Sequence, residues 1–113
     1  MEFEREIKTL LRRLGANGSY LGFKYAVYGI QKTIENPDCI LVISKDLYVD
    51  ISFHYKTTIK SVERNIRTIR ELIWDYGDRE LLDEIFCRKL DKCPGNAAFL
   101  DGLAQYVIDN YIS

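Results

Sequence analysis

The stretch Thr57–Trp74, TTIKSVERNIRTIRELIW, decides how this chain is read. Its apolar residues fall at Ile59, Val62, Ile66, Ile69 and Ile73, in alternating three- and four-residue steps. At about 100° per residue, these five side chains cover about 80° of a helix, a narrow stripe that should pack inward. Lys60, Arg64, Arg67, Thr68 and Glu71 fall on the opposite side, and Glu63 lies at the border near the N-terminal end. The spacing predicts a helix buried through its branched side chains and cationic on its outer face.

The residues just upstream give this helix a setting. Thr58 can cap it by accepting from its early amides. Tyr55-Lys56-Thr57 reads as a tight turn, and a preceding helix spans about Lys45 to His54 with Ser44 as its cap. Leu47, Val49, Ile51 and Phe53 are expected to supply that helix with apolar bulk. A helix, a three-residue turn and a second helix have the proportions of a helix-turn-helix, in which the second helix is the recognition element.

Further out, every long segment keeps helical period. A first helix is expected over about Glu2 to Leu14, ended by Gly15 and Gly18. A second covers about Tyr20 to Glu35 and stops before Asn36-Pro37, because proline disfavours a helical predecessor. The run CILVIS, Cys39 to Ser44, is strand-like but lacks a partner, so a buried turn or short helix is expected. The long helix should end at Tyr76, before Gly77. A fifth helix is expected over about Asp78 to Cys87, and a last one over about Ala97 to Tyr111 with Asn96 as cap. The expectation is a single all-α domain over residues 1–113, with six helices, the fourth being the recognition helix.

Composition agrees with a globular domain: 113 residues, 47% hydrophobic and 29% charged. No apolar run approaches the roughly 20 residues of a membrane span, and MEFEREIKTL is too acidic for a signal peptide, so a cytoplasmic protein is expected. Cys39, Cys87 and Cys93 are odd in number and form no CxxC pair, and His54 is the single histidine. That argues for reduced thiols and against a zinc site. There is no Gly-rich phosphate loop and no nucleophile motif, so neither an enzyme nor a cofactor is expected.

The net charge of -1 conceals a division. Residues 1–55 balance, residues 56–70 carry Lys56, Lys60, Arg64, Arg67 and Arg70 against Glu63, and residues 71–113 are acidic. A local cationic stripe of net +4 is what an element entering a nucleic-acid groove needs. The acid within it has two readings. Glu63 can accept from the N4 amine of cytosine while a neighbouring Arg reads guanine, or it can pair with Arg67 at i,i+4 on a solvated face.

LYVDISFHYKTTIKSVERNIRTIRELIWDYG, residues 47–77, resembles the DNA-binding effector domain of the sporulation master response regulators of endospore-forming bacteria (the stage 0 sporulation protein A family). LRRLGANGSYLGFKYAVYGI resembles that family's first two helices and CPGNAAFLDGLAQYV its last, so nearly the whole chain is covered. The family block TTxxxVERxIR is matched by Thr57, Thr58, Val62, Glu63, Arg64, Ile66 and Arg67, with Ile69 beyond it.

The resemblance implies a six-helix domain whose fourth helix enters the major groove of double-stranded DNA. The expected target is a short TGTC-like box, often occupied by head-to-tail copies, which implies a homodimer on tandem sites. Carried over by position, Glu63 and Arg64 contact bases. Lys60 stands where the family usually has Arg and contacts a base or phosphate. Thr57, Thr58 and Arg67 serve the DNA backbone, with Lys56 beside them and Thr68 in place of a common His. Gly77 and Phe86 match the region where the family meets an RNA polymerase sigma subunit, although DRELLDEIFCRK is more charged than the family pattern. Nothing here resembles the family's receiver domain, so an excised effector domain or a stand-alone relative is expected. The competing expectation is a protein-interaction module of the same fold that modulates a related regulator without binding DNA.

Overall fold

The computed structural model describes residues 2–112, and among these it contains helices, turns and no strand. Six α-helices follow in order: α1 Glu4–Leu14, α2 Leu21–Glu35, α3 Leu47–His54, α4 Ile59–Tyr76, α5 Arg79–Ile85 and α6 Asn96–Val107. A 3-10 helix, Pro37–Ile40, joins α2 to α3, and a π-helical segment, Ile108–Ile112, extends α6. The expectation of an all-α fold of six helices holds.

α2 is the central element. Its apolar and small residues, among them Phe23, Ala26, Val27 and Ile30, are buried around most of its circumference. It packs against α1, α3, α4 and α6. Gly22 lets it meet α4 backbone to backbone, since a Cβ there would lie 2.1 Å from the Asn65 carbonyl oxygen. α4 answers with Val62, Ile66, Ile69 and Ile73, each essentially inaccessible to solvent. Leu100, Leu103 and Val107 of α6 and Ile7, Leu11 and Leu14 of α1 complete the same core.

Gly15 ends α1 in a left-handed conformation, φ 112°, and the C-terminal end of α1 lies against the α4–α5 junction. There Asp78 N–H donates to the Leu14 carbonyl at 3.1 Å. Asp78 also caps α5 by accepting from Leu81 N–H at 3.0 Å.

Several expectations need correction. Ile59 is 41% exposed rather than buried, because the stripe is covered only from Val62 onward and Ile59 opens the helix. α3 begins at Leu47, not Lys45; its cap is Asp46 rather than Ser44, and no side chain bonds its first amides. Within it, Leu47, Tyr48 and Ile51 are buried, whereas Phe53 is 84% exposed and Val49 faces out. Residues 47, 49, 51 and 53 alternate, and alternation cannot form one face of a helix. In CILVIS, Cys39, Ile40 and Ile43 lean on the core, but Leu41 and Val42 are exposed in the turns that lead to α3. Asn96 is the first residue of α6 and Gly95 its cap, because the Asn96 side chain is engaged elsewhere. No helix among the described residues is long and apolar enough to cross a membrane.

Candidate nucleic-acid interface

The turn between α3 and α4 is built by backbone hydrogen bonds. Thr57 N–H donates to the Ser52 carbonyl at 2.9 Å and Lys56 N–H to that of Phe53 at 3.4 Å. This is a Schellman closure, and it requires a left-handed residue at Lys56, whose φ is 53°. An aromatic cluster anchors the end of α3 to α2. His54 stacks on Tyr28 at 4.3 Å, and Tyr55 meets Tyr25 and Tyr28 at 5.3 and 5.8 Å. Tyr28 also donates to Asp50 at 3.1 Å, which ties the middle of α3 to the same helix.

α4 leaves this turn with its cap in place. Thr58 Oγ1 accepts from Ser61 N–H at 3.0 Å, leaving the Thr58 hydroxyl proton free to be donated outward. Lys60, Arg64, Arg67 and Thr68 are all exposed on one side of the helix, with Lys56 exposed at the turn and Thr57 half-buried beside it. Arg67 Nη1 donates to Glu63 Oε1 at 2.9 Å. The ion pair that the spacing allows is therefore formed, and Glu63 Oε2 is left over as an acceptor. Thr68 Oγ1 turns back to the Arg64 carbonyl at 3.0 Å.

Arg70 does not belong to this face. Its Nε donates to Asn96 Oδ1 at 2.7 Å, and its Nη1 to the Pro94 carbonyl and Cys93 Sγ, each at 2.9 Å. At about 100° per residue, Arg70 falls about 20° from Ile59, the edge of the apolar stripe, so its rotation already set it apart from the other cations. Asn96, which the sequence offered only as a cap, also donates from Nδ2 to Tyr48 Oη at 2.9 Å and to the Glu63 carbonyl at 3.2 Å. No local pattern around Asn96 signals these bonds, which join residues 33 and 48 positions apart. Burial holds the Tyr48 phenol above its ordinary pKa, so it stays neutral.

Gly77 and Phe86 lie away from this surface. Gly77 admits the α1 terminus, because a Cβ on it would sit 2.1 Å from the Leu14 carbonyl oxygen. Phe86 is half-buried and lies over Gly102 of α6, where a Cβ would come within 2.6 Å of the ring.

A helix-turn-helix held by an all-α core, with cations on the outer side of its second helix, defines the class: a helical DNA-binding domain. The chain belongs to the family described as "Sporulation initiation factor Spo0A C terminal", whose model matches residues 7–107. It is accordingly a DNA-binding effector domain of transcription regulation in sporulation, and the family is one of regulatory rather than catalytic domains.

Proposed function

We propose that this chain recognises a short TGTC-like box by laying α4 in the major groove, where Glu63, Arg64 and Lys60 face base edges. Thr57, Thr58, Lys56 and Arg67 hold phosphates on either side, and Thr68 joins them by exchanging its bond to the Arg64 carbonyl for one to a phosphate. The observation that carries this reading is the outer face of α4: Lys60 and Arg64 are exposed with no protein partner among the described residues. The turn places Lys56 and the two threonines at the helix N-terminus, where the helix dipole favours an anion. Glu63 fits the same picture. Oε1 orients Arg67, and Oε2 remains to accept a cytosine amine.

The test is titration of a TGTC-box duplex and a scrambled duplex at two salt concentrations. Contacts to several phosphates make log affinity fall linearly with log salt, with a slope of about -0.9 per phosphate neutralised. A steep slope with preference for the box is expected. Absence of binding at low salt would defeat this reading.

Two partner assignments extend it. Copies of the chain occupy tandem boxes head to tail, and an RNA polymerase sigma subunit docks by α5, near Gly77 and Phe86. Tyr76, 84% exposed at the end of α4, supports a contact on that side. A second reading, a protein-interaction module of the same fold, is favoured by the exposure of Phe53 and Val49 on α3. Its binding to a partner would respond weakly to salt, which separates it from phosphate binding.

A further inference from the structure

The Asn96 carboxamide reaches α3 and two levels of α4 at once. Its oxygen takes the Arg70 guanidinium, while its nitrogen bonds the Tyr48 hydroxyl and the Glu63 carbonyl. Glu63 and Arg70 stand about two turns, or about 10 Å, apart along α4, so the helix is held against both rotation and sliding. The Glu63 carbonyl belongs to the peptide that joins Glu63 to Arg64. Arg70 in turn fixes the Cys93–Asn96 segment through the Pro94 carbonyl, so the clamp is closed on both sides.

We propose that Asn96 is a positioning residue for base readout, fixing the Glu63–Arg64 peptide of α4 relative to α3 through Tyr48 and relative to the Cys93–Asn96 segment through Arg70. The inference rests on the reading of α4 as the base-reading helix. Bidentate base contacts demand placement within about 0.5 Å and 10–20°. Phosphate contacts from long cationic side chains tolerate far more. Loosening the clamp should therefore cost discrimination while leaving charge-driven binding alone.

Asn96→Ala removes all three bonds without changing charge, and Tyr48→Phe removes one hydroxyl. Leu103→Ala, a cavity in α6 outside the clamp, serves as the control for plain destabilisation. Each is titrated against the TGTC-box and scrambled duplexes at two salt concentrations, at a temperature where circular dichroism shows it folded. For Asn96→Ala the box-over-scrambled ratio should fall on the order of tenfold, the loss of one good base contact. Tyr48→Phe should move the ratio the same way by less. Affinity for the scrambled duplex and the salt slope should hold in both, and Leu103→Ala should leave the ratio unchanged.

An unchanged ratio in both clamp variants overturns the proposal, as does an equal fall in Leu103→Ala. If Asn96→Ala does not fold, Tyr48→Phe decides alone. A parent protein that binds both duplexes equally defeats the base-reading assignment itself, a result distinct from failure of the clamp.

Discussion

In the proposed complex Glu63 has two uses for one carboxylate. In the free protein it pairs with Arg67, an exposed i,i+4 contact worth only a few tenths of a kcal/mol. Near DNA phosphates an acid costs non-specific affinity, so it serves binding only by reading a base. Glu63→Ala should leave affinity for random DNA steady or tighter while preference for the box falls, by about 1–3 kcal/mol of discrimination. Competition titration with the two duplexes reads both quantities, and a parallel loss would reduce Glu63 to an Arg67 prop. Lys56 presents a different conflict. It sits at φ 53°, where an L side chain is strained by roughly 1 kcal/mol and glycine is not. Lys56→Gly should raise the melting temperature by a few degrees. The same variant should weaken DNA binding and make the salt slope shallower by about one unit. A stabilised variant with unaltered DNA binding would remove Lys56 from the interface.

At the scale of the element, α4 divides its residues between two tasks by rotation alone. Val62, Ile66, Ile69 and Ile73 are buried, and Ile66 is wholly inaccessible. Ile66→Ala should destabilise the domain by roughly 2–5 kcal/mol, because the side chain is fully enclosed in the core and its removal leaves a cavity. Thermal unfolding measures this, and a variant that melts like the parent would contradict the packing. The periodicity of α4, its Thr58 cap and its end at Tyr76 before Gly77 were legible in the sequence, since each depends on residues within one or two turns. α3 was legible only in its presence and its end. Its start moved because the turns at Leu41–Asp46 are set by packing of Ile40 and Ile43 on the core, whereas the exposure of Phe53 follows from a spacing that no helix can place on the face of Leu47 and Ile51.

Over the whole molecule, charge is sorted rather than abundant. The chain is net -1, yet the exposed side of α4 and its lead-in concentrate Lys56, Lys60, Arg64 and Arg67. Arg67→Ala should weaken binding to the box and scrambled duplexes alike and reduce the salt slope by about one unit. Titration across several salt concentrations checks both, and a sequence-selective loss would instead place Arg67 on a base edge.

The sequence by itself determined what is local or periodic: six helices, the helix-turn-helix, the inward stripe from Val62 to Ile73 and the cationic outer face. These follow from side chains one to four residues apart, whose geometry the helix prescribes. Only the tertiary structure decided that Arg70 binds Asn96 and the Pro94 carbonyl, that Asn96 ties α6 to Tyr48 and Glu63, and that Gly22 and Gly77 are points of backbone contact. Those relations join residues far apart in the chain, and they exist only once the helices have packed and the polar groups left between them must find partners in place of water.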